Sequence, residues 1–291
     1  MTLNELLIQP FTEFGFMKRS LVACLALSLG GAPVGTLLVL RRMSLMGDAM
    51  SHALLPGAAI GFAVAGFSLA AMGLGAFVAA LSVALLAGWL SRITSQKEDA
   101  SFAAFYLIAL AAGVMIISSH GSPIDLMHVL FGSVLAVDDD ALITVAGVTT
   151  LTLVLLAVIY RPLVTECFDP GFLRASGGPG AAVHLLFLLL VVVNLVAGFQ
   201  ALGTLMAVGL MMLPAITARF WAQDVGRLSA VAAGLSLLSA WSGLLISYHF
   251  ELPSGPSIVL TAGGLYLLSL LVGQRDSWLS RRLALRAHRV A

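Results

Sequence analysis

The sequence predicts an all-α integral membrane protein, a polytopic bundle of about nine transmembrane helices. Three observations lead there. Hydrophobic residues make up 60% of the 291-residue chain and charged residues only 10%, with a mean hydropathy of +1.04, whereas a soluble domain carries about 25% charged residues. The apolar residues come in unbroken runs, not in the alternation that a barrel strand needs. Nine such runs reach or approach the roughly 20 residues that cross a hydrocarbon core about 30 Å thick.

The runs cover 20–40, 49–67, 69–90, 102–119, 141–160, 183–199, 201–218, 229–248 and 257–273. The first five and the eighth are long. The sixth and seventh, separated only by Gln200, and the ninth are shorter, so the count ranges from eight to ten. Ahead of them, residues 1–17, with Leu3, Leu6, Leu7, Phe11 and Phe14, read as an amphipathic segment lying on the membrane surface. Glu5 and Glu13 precede the first basic residues, Lys18 and Arg19, and the run that follows is too long for a cleavable secretory signal. The expected organisation is an N-terminal segment over 1–17, one transmembrane domain over 18–274 and a basic tail over 275–291. Cys24 and Cys167 stand alone, one in the first run and one in a polar loop, so neither a disulfide framework nor a thiolate cluster is expected.

Basic residues predict the orientation. Placing the loops around 41–48, 91–101, 161–182 and 219–228 with the tail on one side gathers 13 of the 15 Lys and Arg residues there. The opposite loops hold none, and Lys18 and Arg19 precede the first run. The rich side is cytoplasmic by the positive-inside rule, so the C-terminus is inside, and an odd helix count puts the N-terminus outside. The Arg-rich tail marks a flank beside anionic lipid and not a nucleic-acid site.

Chemistry concentrates at Arg41-Arg42-Met43-Ser44 and the Gly47-Asp48-Ala49-Met50-Ser51-His52 that follows. Asp48 and His52 are four residues apart, on one helix face. Ionisable groups in a span are functional candidates by default, and a carboxylate with an imidazole is a common ligand pair for a divalent transition metal. The alternative is a helix cap at Asp48 and an interhelical hydrogen bond at His52. Pro56 and Gly57 could break the helix beyond them, a recurring device at membrane binding sites.

Glu98 and Asp99 either open the fourth span, where acids suit the helix dipole, or supply a further oxygen ligand. On the outer side, Asp125 and His128 at i, i+3 form either a solvated helix face, a metal-collecting mouth or a docking lip for an extracellular partner. Asp138-Asp139-Asp140 most simply caps the next helix, with docking of a partner as the alternative. His184, Asn194, Gln200 and His249 are single polar residues at or near span ends, expected to bond to neighbouring helices. Lys18 and Lys97 are the two lysines, and neither sits in a G-x-x-x-x-G-K-[ST] loop, so the chain has no P-loop for ATP. The H-E-x-x-H and G-x-G-D patterns of intramembrane proteases are absent too.

Along its whole length the chain resembles the permease subunits of the zinc/manganese-type ATP-binding-cassette importers, with a type II importer-like fold. Six stretches carry the resemblance in order: Arg41 to Ala53, Lys97-Glu98-Asp99, Asp125-Leu126 with Leu130-Phe131-Gly132, Phe168-Asp169-Pro170-Gly171-Phe172 to Gly177, Leu210 to Arg219, and Leu252-Pro253-Ser254-Gly255-Pro256. The resemblance implies a permease homodimer in the bacterial inner membrane. It also implies a cytoplasmic ATPase subunit that binds the ATP and a periplasmic or lipid-anchored protein that delivers the metal. No cofactor is permanently bound, and no nucleic acid is a partner. It assigns Asp48 and His52 to the passing ion, with an acid from Glu98 or Asp99 nearby, and the Phe168–Gly177 loop to contact with the ATPase. Here Gly171-Phe172-Leu173 stands where family members often carry an acidic residue followed by Phe-Ala.

Imidazole and carboxylate suit zinc, iron and manganese alike, and the affinity order favours zinc over manganese. Pro56-Gly57 is similar to manganese-type members, whereas Ala103-Ala104-Phe105-Tyr106 and Met211-Met212-Leu213-Pro214 are similar to proteobacterial zinc permeases. Zinc is the expected cargo. The competing readings are a cobalamin- or siderophore-type permease, which needs a wide channel and no Asp/His pair, and a stand-alone proton-coupled metal transporter, which needs acids on several spans.

Overall fold

Long apolar helices dominate because a backbone in hydrocarbon must satisfy every amide and carbonyl within its own segment. The computed structural model describes residues 6–66, 68–95, 98–120 and 137–280, without the side chains of Arg92, Glu98, Ile117, Ser119 and His120. In chain order the helices are α1 (Gln9–Glu13), α2 (Gly15–Leu40), α3 (Ser44–Ala65), α4 (Leu69–Ile93), α5 (Glu98–His120), α6 (Asp139–Phe168), α7 (Pro170–Ala175), α8 (Gly180–Leu202), α9 (Thr204–Ala218), α10 (Val225–Phe250) and α11 (Ser254–Val272). Each of the nine apolar runs is one helix. Eight are long and apolar enough to cross a membrane, and α9 has 15 residues, about 22 Å at the usual helical rise.

Local sequence sets the ends. Ser68, Asp138, Asp169 and Asp224 each accept a hydrogen bond from the amide three residues on, those of Ala71, Ala141, Phe172 and Arg227, and so cap α4, α6, α7 and α10. The break between the sixth and seventh runs falls at Gly203, with φ of +90°, and not at Gln200. Gln200 stays in α8 and donates to the Leu69 carbonyl. A left-handed φ is accessible to glycine without Cβ strain, whereas a glutamine can end a helical run against a neighbour without breaking the helix.

α2 and α8 are the most enclosed spans and α5 the least. Leu38, Met50, Leu54, Phe102, Phe187, Leu188 and Leu195 form the centre of the buried cluster. Small residues bring α3 and α4 into backbone contact: a Cβ on Gly57 would run into the Gly75 carbonyl, and a Cβ on Gly75 into that of Gly57.

Side-chain contacts sort the helix ends into two groups. Arg41, Ser91, Asp99, Glu166, Arg174 and His184 line one cleft, so the α2–α3, α4–α5 and α6–α8 connections share one end of the bundle. At the other end Arg19 pairs with Asp139 at 3.4 Å, His249 Nε2 lies 3.0 Å from the Leu6 carbonyl, and Gln200 reaches Leu69. These groupings follow the division of basic residues among the loops. The single polar residues also find neighbours: Asn194 donates to Thr152 Oγ1 and His184 bonds Arg41.

Candidate functional site

The Asp48/His52 pair lies inside α3. That helix begins at Ser44 after Met43, which makes no side-chain cap bond, so Asp48 is no cap. One turn of helix brings His52 Nε2 to 3.7 Å from Asp48 Oδ1. Two ligands each about 2.0–2.2 Å from one ion stand roughly 3–4 Å apart, so this spacing suits a shared cation. The imidazole stacks on Tyr106 of α5, ring centroids 6.1 Å apart and planes at 26°, and Ser51 Oγ donates to the Asp48 carbonyl at 2.7 Å.

Pro56 leaves a backbone oxygen on the same helix without its helical partner. It lies inside α3 and has no amide hydrogen, so the His52 carbonyl loses its ordinary partner four residues on. Gly113 of α5 comes against this point, where an added Cβ would stand 2.9 Å from the Pro56 nitrogen. Asp48, His52 and this carbonyl are thus hard or borderline donors on one helix, with no thiolate among them.

The pair sits on an open face of the single chain, with 64% of the Asp48 side chain and 42% of the His52 side chain exposed. Among the described residues, no three His, Cys, Asp or Glu side chains gather as a metal-ligand set. Glu98 opens α5, and its side chain is outside the described residues, as are Asp125 and His128. Asp99 lines the cleft at the α2–α3 connection, a volume of about 990 Å³ that it shares with Arg41, Glu166 and His184.

Sequence reasoning missed Glu166. It is half-buried in the last turn of α6, 3.7 Å from the Arg41 guanidinium, and its available signal was an acid two residues ahead of Phe168-Asp169-Pro170. Just beyond it, Asp169 Oδ1 accepts from the Phe172 amide at 2.8 Å and Pro170 opens α7. Leu173 turns inward. Phe168 and Phe172 remain 64% and 63% exposed. Gly177, at φ of +73°, then reverses the chain toward α8. Gly171 lies inside α7.

A family model described as the ABC 3 transport family matches residues 13–273. The chain belongs to this family. Within it, the chain is similar to the manganese import system permease protein ScaB of Streptococcus gordonii, 32% identical over 95% of this chain and 98% of that one. It is also 32% identical to the manganese transport system membrane protein MntC of Halalkalibacterium halodurans, over 92% of this chain and 91% of the relative. Among solved structures, PsaBC from Streptococcus pneumoniae in complex with Fab superposes with a TM-score of 0.83 at 30% identity, covering 97% of this chain and all of that one. Membership in the ABC 3 transport family and these permease relatives make the chain a multi-pass permease of a metal ABC importer in the bacterial membrane.

Proposed function

We propose that two copies of this chain form the path by which manganese enters the cytoplasm, with Asp48 and His52 of each copy holding the ion in transit. The observation that carries this is the Asp48/His52 pair on the open face of α3. Hydrocarbon is costly to a carboxylate and an imidazole, and a second copy facing α3 would keep both away from lipid. The neighbouring α5 supports the same face. It is the least enclosed span, and Leu107, Leu110, Ala111, Val114, Met115 and Ser118 line an apolar groove of about 800 Å³ along it.

Manganese replaces zinc as the favoured cargo. The zinc expectation rested on affinity order and on short local stretches, whereas two relatives matched over nearly their whole length are named for manganese. A donor set of carboxylate, imidazole and carbonyl, without sulfur, also suits the harder ion. Affinity at the pair is modest, because an ion must leave as readily as it arrives.

The basic loops put the cleft and α7 on the cytoplasmic side, with the C-terminus inside and the N-terminus outside. There the exposed Phe168 and Phe172 offer apolar anchors to a separate ATPase subunit, on which ATP binds, and Asp169, Pro170, Gly171 and Gly177 set the shape of the loop. A metal-binding protein docks on the opposite face, which the sparing of basic residues assigns to Asp125 and His128, and Glu98 or Asp99 adds an oxygen along the exit route. The domain is one transmembrane unit over 18–274, flanked by the surface segment 1–17 and the basic tail 275–291.

The test is uptake into proteoliposomes holding the permease, its ATPase and its binding protein, with manganese, zinc and iron offered in parallel. Asp48→Ala and His52→Ala are each expected to lower manganese uptake by about 10–100-fold, the range for losing a metal-site group, while the ATPase still co-purifies. Undiminished uptake in both variants would remove the ion site from α3. Uptake of zinc alone by the wild type would return the cargo to zinc.

A further inference from the structure

We infer that Arg41 is a positioning residue, an ionic joint that ties the loop facing the ATPase to the helix that carries the ion pair. The inference rests on the reading of Phe168–Gly177 as the docking loop. Arg41 follows the last residue of α2, and α3 begins three residues later. Its guanidinium lies 3.7 Å from Glu166 Oε1, bonds His184 Nδ1 at 2.9 Å and covers the Phe187 ring at 5.2 Å. Glu166 precedes α7 and His184 stands in the second turn of α8, so the two contacts grip the docking loop on both sides.

The joint is largely enclosed at the wall of the cleft, with 8% of the Arg41 side chain and 13% of the Glu166 side chain exposed. Either charge left alone there would be disfavoured, so Arg41 follows Glu166 when the loop moves. Glu166 also lies against the far side of the loop. Its Oε2 makes no hydrogen bond, and an added Cβ on Gly180 would stand 2.8 Å from it, which sets the carboxylate beside the positive end of α8.

The connection from Arg41 to α3 is short and stiff. Arg42 takes a left-handed φ of +60°, its amide bonds the Val39 carbonyl at 3.1 Å, and the Met43 amide bonds that of Leu38 at 2.9 Å. A non-glycine residue in that region is held by its surroundings. Such a turn has little freedom to absorb a displacement, so movement at Arg41 passes to Ser44 and on to Asp48, one turn into α3.

The experiment measures ions imported per ATP hydrolysed in proteoliposomes of the complete importer. The variants are Arg41→Gln, Glu166→Gln and the double replacement Arg41→Met with Glu166→Leu. An apolar pair of similar volume often replaces an enclosed ion pair without loss of stability, so the double variant keeps the bundle folded while it removes the ionic link together with the Arg41 bond to His184. In all three variants ions per ATP are expected to fall about 10-fold while hydrolysis stays within about 3-fold of wild type, a coupling loss of ordinary allosteric size. Arg41→Lys should recover part of the ratio.

A double variant that imports at the wild-type ratio overturns the inference, as does a proportional fall of uptake and hydrolysis, or loss of the ATPase from all three complexes. If the wild type hydrolyses ATP and imports no metal, the proposed function falls and the joint with it. If the wild type imports manganese and Asp48→Ala does not, but Arg41→Gln keeps the normal ratio, the joint alone falls.

Discussion

His52 of α3 stacks on Tyr106 of α5 with ring centroids 6.1 Å apart, so the orientation of the candidate ion-binding imidazole depends on a second helix. Tyr106→Ala frees the ring to rotate away from Asp48. The half-saturating manganese concentration for uptake should rise by about 10-fold, the lower range for loss of a ligand-orienting contact, with less change in maximal rate. Tyr106→Phe keeps the stack and should behave as wild type. Concentration-dependent uptake by both variants decides whether the ring or the hydroxyl matters.

Pro56 sets stability against transport. Pro56→Ala returns an amide to the His52 carbonyl and removes a residue that costs an exposed helix interior about 3 kcal/mol. The variant should unfold at a higher temperature in detergent and still import manganese more slowly, because the carbonyl is no longer free for the ion. Faster or unchanged uptake with higher stability would take that carbonyl off the path.

Gly57 and Gly75 are pressed backbone to backbone between α3 and α4, and either Cβ would strike the opposite carbonyl. Gly57→Ala and Gly75→Ala should each lose about 1–3 kcal/mol, the usual cost of overpacking. Gly147 and Gly234 lie within α6 and α10 with nothing within 4 Å of an added Cβ. Alanine there should be neutral or up to about 1 kcal/mol stabilising through helix propensity. Thermal unfolding of the four purified variants separates the two classes.

Asp169 and Phe172 divide the work of α7. Asp169→Ala removes the cap on the Phe172 amide, worth about 1 kcal/mol, and Asp169→Asn keeps an acceptor there. Phe172→Ala removes an exposed ring and should leave the permease as stable as before. Both Ala variants should retain less ATPase on co-purification, Phe172→Ala more severely, and Asp169→Asn should retain the wild-type amount.

Much of this was legible in the chain because membrane physics acts locally. Nine apolar runs became nine helices, since each must satisfy its own backbone, and Asp138 announced a helix start by residue type. The position of Gly203 over Gln200 was harder to read, because a single polar residue resembles a break unless a neighbour such as the Leu69 carbonyl receives it. The i, i+4 spacing of Asp48 and His52 was likewise enough to put them on one face, since helical periodicity fixes it.

What the sequence by itself determined, then, was the helical membrane fold, the capped helix starts and the Asp48/His52 pair, all consequences of interactions within a few residues. Only the tertiary structure decided that Tyr106 backs His52, that Gly57 meets Gly75, and that Asp99 lines the cleft of Arg41. Only it joined Arg41 to Glu166 and His184, residues more than a hundred positions away. The reason is that a charge in a low-dielectric interior must find a partner wherever packing brings one, and packing is a property of all the helices together.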